Sequence, residues 1–160
     1  EEAVAELLRC CGSVSWAQAM MQRRPFATEK AVHEAADIIW DSASEADILE
    51  ALSHHPKIGE LSHLKEKFAS TSQWAEGEQA GVRQASEAVL EALHAGNVEY
   101  ERKFGFIFVV YATGKTAPEM LAILEERLPH DRAQEIKIAH GEQRKITHNR
   151  LEKLWQQQQR

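Results

Sequence analysis

Phe104-Gly105-Phe106-Ile107-Phe108-Val109-Val110-Tyr111 is the one compact run of strand-forming residues in this chain. Aromatic and β-branched side chains fit a pleated, half-buried surface, so a sheet is the first possibility to test. A strand needs a partner, and a stable sheet needs several. No second run of this kind exists in the sequence. The run is therefore expected as a short buried extended or irregular segment, and the fold class as all-α without a sheet. Gly114 turns the chain after it.

The flanks of the run read as helix. Gly96 and Asn97 are helix stop signals, so a long helix opened by Thr71 or Ser72 is expected to end near Ala95. Val98 to Lys103 is then a short helical or turn segment. After the run, Thr116 caps a helix whose Ala117-Pro118-Glu119 makes a good first turn, and Pro129 stops it after Leu128. Asp131 caps a last helix to about Trp155, and residues 156–160 read as a frayed tail.

Further out, Val4, Leu7 and Leu8 stripe a helix from Glu1 to about Cys11, ended by Gly12. Ser13 or Ser15 caps the next helix, which carries Trp16 and runs to about Arg23. Arg24-Pro25-Phe26 breaks it, since the residue before proline avoids helical dihedrals. Thr28 starts a helix to about Asp41, with Val32, Ala35, Ala36, Ile39 and Trp40 inward. Ser42 or Ser44 caps another, with Ile48, Leu49 and Leu52. A break at His54-His55-Pro56-Lys57-Ile58-Gly59 precedes a helix from Glu60 to about Ala69. The expectation is seven to nine helices in a single domain over residues 1–160.

A chain of 160 residues can bury one core without disulfide or metal staples. The net charge of -6 argues against a broad nucleic-acid surface and against an anionic membrane surface. No run approaches the ~20 apolar residues of a membrane span, and no signal peptide is visible. Cys10 and Cys11 are adjacent, a spacing that bridges only under strain. They read as small core residues in a reducing cytosol.

Three polar groups stand out against this apolar pattern. At helical rotation Glu78 lies within about 40° of Val82, Ala85 and Val89. A carboxylate on an apolar face costs free energy unless it is paired or used, although a first-turn acid is also favoured by the helix dipole. Gln79 points partly inward beside Leu90 and Leu93. In the last helix Arg150 lies within about 40° of Ile136, Ala139, Gln143 and Ile146. It either snorkels or needs an anion, such as a substrate carboxylate held by its fork.

Of the eight histidines, His33, His94, His130, His140 and His148 fit surface or helix-end positions and are assigned no role. His54, His55 and His63 match no standard zinc spacing, so no metal site is expected. His55 precedes Pro56, which restricts its backbone to extended conformations and would hold an imidazole rigid. His55, Glu78 and Arg150 together would suit proton transfer on a small carboxylate substrate.

The residues also form an ordered set: Trp16, Arg24-Pro25-Phe26, His55-Pro56-Lys57-Ile58-Gly59, Glu78-Gln79-Ala80-Gly81, Asn97 through Phe108, Glu119-Met120-Leu121, Arg127-Leu128, Glu135, Lys145-Ile146 and Arg150-Leu151. In this order they resemble the family of 2-oxo-4-hydroxy-4-carboxy-5-ureidoimidazoline (OHCU) decarboxylases of urate breakdown, over nearly the whole chain. The resemblance implies an all-helical and usually dimeric enzyme, with no cofactor or metal, that converts OHCU to S-allantoin and CO2. It implies that His55 rather than His54 is the catalytic histidine, with Glu78 and Arg150 beside it. Pro56, Gln79 and backbone amides around Ile107 and Phe108 would contact the substrate.

Two positions depart from the family pattern. Many members have a serine where Ala75 stands and a proline where Ile107 stands. The tail carries no peroxisomal address, so a bacterial cytosolic form is expected. A metal-dependent ureide hydrolase and a non-catalytic helical ligand-binding or interaction domain are the alternative readings.

Overall fold

The computed structural model describes residues 2–55 and 80–158, and residues 80–86 by their backbone alone. Among the described residues there are seven helices and no strand. They are α1 (Glu2–Cys10), α2 (Val14–Gln22), α3 (Glu29–Asp41), α4 (Glu45–Ser53), α5 (Ala80–Phe104), α6 (Ala117–Arg127) and α7 (Arg132–Gln158). The helix expected from Glu60 to Ala69 lies outside the described residues. Two compact units are present, one of residues 1–55 with 137–160, the other of residues 56–136.

Side-chain caps fix where the helices of the first unit begin. Ser13, Thr28 and Ser44 have extended backbones, and their side-chain oxygens accept from the N–H groups of Trp16, Ala31 and Asp47. Each satisfies one of the donors that a helix start leaves orphaned. Behind these caps the inward stripes pack: Trp16, Met20, Val32, Ala35, Ala36, Trp40, Leu52 and Leu151 are all buried. A fully buried Val, Leu or Met side chain contributes about 1.5–3 kcal/mol. The two indoles also need partners for their N–H groups. Trp16 Nε1 donates to the Ala36 carbonyl at 3.3 Å and Trp40 Nε1 to the His140 carbonyl at 3.0 Å.

The histidines expected at surfaces or helix ends include several that brace helices instead. His140 stacks on Trp40 with centroids 4.8 Å apart and hydrogen-bonds the Trp40 carbonyl at 3.0 Å. His33 of α3 stacks on His148 of α7 and shares a hydrogen bond between their Nδ1 atoms. The outer nitrogens face carboxylates, Glu29 from His33 at 3.3 Å and Asp37 from His148 at 2.7 Å. The expectation failed because these rings gain partners from a helix distant in sequence.

In the second unit most of the apolar run is buried and non-helical, and among the described residues no strand pairs with it. Phe106, Phe108, Val109 and Val110 are buried, and Tyr100, Phe104, Phe106 and Phe108 form an aromatic cluster. A buried segment without a strand partner must satisfy its carbonyls elsewhere. Here cationic side chains do so. Arg127 Nη1 donates to Val109 O at 2.8 Å, Arg132 Nε to Phe104 O at 3.2 Å, and Lys115 Nζ to Tyr111 O at 2.7 Å. Gly105 and Gly114, with φ of +84° and +77°, begin and end the segment in the left-handed region that favours glycine.

Arg127 is itself held by Glu135, which is fully buried, through an Nε–Oε1 contact of 2.8 Å. Tyr100 donates to the same carboxylate oxygen, and His130 lies 2.8 Å from the other. The buried carboxylate is thus paired and multiply hydrogen-bonded, as its desolvation demands.

Gly96 and Asn97 do not stop α5, which runs on to Phe104. A Cβ added at Gly96 would lie 2.6 Å from Leu124 Cδ2, so the glycine allows close approach of α6. Asn97 is buried, and its side chain donates to the Leu93 carbonyl one turn back at 2.8 Å. Both residues serve helix packing, and tertiary contact overrides their local preference. At the other end of the chain, α7 continues past Trp155 to Gln158.

Candidate active site

His55 is set by the end of α4. Its backbone N–H donates to the Leu52 carbonyl at 3.3 Å, one of the carbonyls the helix end leaves open. The ring is half-buried, whereas His54 is exposed. The His54 ring covers Gly12 so closely that a Cβ there would lie 2.7 Å from its Cβ and Cγ. Gly12 thus ends α1 and makes room for the histidine pair.

Gln143 of α7 meets the His55 ring, with its Oε1 2.5 Å from Nε2. Gln143 is fully buried. Its amide nitrogen contacts Thr147 Oγ1 at 2.9 Å and the Cys10 carbonyl at 3.5 Å, and Thr147 Oγ1 donates to the same carbonyl at 3.3 Å. Two turns after Gln143, half-buried Arg150 donates through Nη1 to the Arg9 carbonyl at 2.8 Å. The carbonyls of Arg9 and Cys10 at the C-terminal end of α1 therefore anchor the α7 face that carries Gln143 and Arg150.

The electrostatics follow from this placement. Burial lowers the His55 pKa below its ordinary 6.5; the Gln143 hydrogen bond opposes this, and the charges of Arg150 and His54 add to the lowering. Near neutral pH the ring is a neutral imidazole with a guanidinium in electrostatic reach. Nearby, burial pushes the Cys10 thiol up to about 11 and the Cys11 thiol up to about 12. Both are free and buried, so they are unreactive core residues.

Of the expected site residues, the structure brings His55 and Arg150 together in the first unit. Ile107 and Phe108 belong to the second unit; among the described residues no backbone carbonyl accepts from their N–H groups. Pro56, Glu78 and Gln79 lie outside the described residues, as do Ala75 and His63. Sequence reading did not assign Gln143 or Thr147 a role. The signal was present, since Gln143 shares the inward stripe of Arg150, but an amide in an apolar stripe has no partner until the fold supplies one. A pocket of about 320 Å³ lined by Leu7, Met20, Phe26, Leu151 and Trp155, among others, holds none of the candidate residues.

A family model described as OHCU decarboxylase matches residues 1–152. The chain belongs to the OHCU decarboxylase family. Similar members include the uric acid degradation bifunctional protein TTL of Arabidopsis thaliana, 37% identical over 91% of this chain and 45% of that protein. The uric acid degradation bifunctional protein of a Bacillus species is 28% identical over 98% of this chain and 31% of that protein. The chain thus spans less than half the length of these two relatives. A crystal structure of an OHCU decarboxylase in the presence of (S)-allantoin is 36% identical, with a TM-score of 0.76, and covers 94% of this chain and 97% of that one. The all-α fold is therefore that of the OHCU decarboxylase family, as the resemblance implied.

Proposed function

We propose that this chain decarboxylates OHCU to S-allantoin, a carboxy-lyase step of urate breakdown, with His55, Glu78 and Arg150 as its catalytic residues. The observation that carries the reading is the half-buried His55 imidazole held against Gln143 on the α7 face that also carries Arg150, in a chain matched across residues 1–152 by the family model.

The chemistry needs few groups. In OHCU the carbon that bears the carboxylate also bears a hydroxyl and adjoins a ring C=N carbon. The bond to the carboxylate breaks and CO2 leaves. The bonding pair becomes a carbon–carbon double bond, and the C=N π pair moves to nitrogen, which takes up a proton. The resulting enol loses its hydroxyl proton to become the carbonyl of allantoin, and the neighbouring carbon gains a proton on one face, which sets the S configuration. Net, the carboxylate form consumes one proton and releases CO2.

His55, assisted by Glu78, takes or orients the hydroxyl proton. Proton transfer of this kind is worth roughly 10²–10⁴-fold. Arg150 holds the carboxylate or oxyanion through its fork. Pro56, Gln79 and the backbone around Ile107 and Phe108 contact the substrate. The family match runs across both units, which supports a single domain as the working entity. The same reading gives a homodimer in a bacterial cytoplasm with no nucleic-acid or membrane partner. The net charge of -6 and the protonated buried thiols are in keeping with it, and no helix among the described residues is long and apolar enough to cross a membrane.

The test is to generate OHCU freshly and follow the chiral signal of allantoin. Enzyme-dependent acceleration with S product supports the reading. No acceleration over the uncatalysed background overturns it.

A further inference from the structure

We propose that Gln143 is a positioning residue: it holds His55 in the tautomer protonated at Nε2 and so leaves Nδ1 as the basic nitrogen. The proposal rests on His55 being the base of the decarboxylation above.

The direction of the hydrogen bonds follows from one atom, the carbonyl oxygen of Cys10. A carbonyl only accepts. Thr147 has one hydroxyl proton, and its acceptors are that carbonyl, at 3.3 Å, and the Cys11 sulfur. Its oxygen is then an acceptor toward Gln143, so the Gln143 atom 2.9 Å away is the NH2 group. The same NH2 group reaches toward Cys10 O at 3.5 Å. Both contacts turn the amide the same way and leave Oε1 facing His55. An amide oxygen cannot donate, so the proton in the 2.5 Å contact belongs to His55 Nε2. In a neutral imidazole the other nitrogen then carries the lone pair.

The residue type fits the task. A carboxylate at 143 would set the same tautomer but favour the imidazolium, and a base must be neutral to accept a proton. An amide gives direction without adding charge. Its immobility comes from full burial and from contacts anchored at the end of α1. Among the described residues, the groups that act on His55 are Gln143 and Arg150 from α7 and His54 from its own segment.

Ring-nitrogen NMR on protein labelled with ¹⁵N-histidine reads the tautomer without substrate, at a pH above the titration of His55. The expected spectrum has a protonated Nε2 and a bare Nδ1 for His55. The reverse assignment overturns the proposal. Gln143→Leu should give mixed tautomers and lower kcat about tenfold, the worth of one orienting hydrogen bond, with KM changed far less. Gln143→Glu should keep the tautomer and move the acid limb of kcat/KM to higher pH.

Thr147→Val frees the amide to turn and should also mix the tautomers, while Thr147→Ser should restore the wild-type spectrum and rate. This pair serves if Gln143→Leu does not fold. Wild-type kcat in a folded Gln143→Leu enzyme, or a Thr147→Val spectrum identical to wild type, overturns the positioning role. If the wild-type protein turns over no OHCU, the proposed activity fails, while the spectrum still decides the tautomer.

Discussion

The Arg150 guanidinium donates to the carbonyl of Arg9 at 2.8 Å, tying α7 to the last turn of α1. A cation is favoured there, because the helix end leaves carbonyls open and carries partial negative charge. A guanidinium has five N–H donors. One anchor therefore leaves most of the fork for the substrate anion that the proposed mechanism assigns to it.

Arg150→Lys separates the two duties. An ammonium can replace the single bond to Arg9 but not a bidentate grip on a carboxylate. We expect kcat/KM to fall by roughly 10–100-fold, the worth of a charge-assisted hydrogen bond, with the melting temperature little changed. Steady-state kinetics beside thermal melting check this, and near-normal turnover would remove Arg150 from the site.

The two adjacent histidines should respond differently. His55→Ala should lose roughly 10²–10⁴ in rate and keep its helical circular dichroism. His54 is exposed, and His54→Ala should retain most of the activity. The opposite pattern in the allantoin assay would show that the histidine assignment is shifted by one.

The His55 environment gives a pH dependence with a definite sign. Burial, with the Arg150 and His54 charges behind it, holds the pKa below 6.5. The proposed base is thus already free at neutral pH, and kcat/KM should decline only as pH falls below 6.5 through the folded value. Stability follows the same direction. Below the unfolded pKa the denatured chain binds the proton first, so this contribution is full above 6.5 and is lost as pH falls through the folded value. An NMR titration in which His55 protonates above 6.5 would contradict this.

The buried Arg127–Glu135 pair should matter for folding. Glu135→Gln removes the negative charge and leaves the guanidinium buried without its counter-ion. Breaking such a pair costs about 3–5 kcal/mol. A urea unfolding midpoint close to wild type would show that the carboxylate is not what holds Arg127 at the Val109 carbonyl.

The sequence by itself determined the all-helical class. One strand-like run from Phe104 to Tyr111 has nothing to pair with, and pairing is a property of the whole sequence. It also determined the helix starts at Thr28 and Thr116 and narrowed two others to Ser13 or Ser15 and Ser42 or Ser44, because such caps act on N–H groups a few residues away; the structure chose Ser13 and Ser44. The inward turn of Arg150 was legible too, since helical rotation is fixed.

Tertiary structure alone decided what those groups meet. Gly96 and Asn97 read as stops, yet α5 passes through them because Leu124 packs against the bare glycine and Asn97 bonds within the helix. Arg127, Arg132 and Lys115 became the partners of a buried non-helical segment that pairs with no strand among the described residues. Gln143 acquired partners for its amide only when α4 delivered His55 to it and the end of α1 met its other side. Propensity and capping act over one helical turn and are written locally. A hydrogen bond between residues 55 and 143, or a glycine chosen for the helix that crosses it, exists only once the chain has folded.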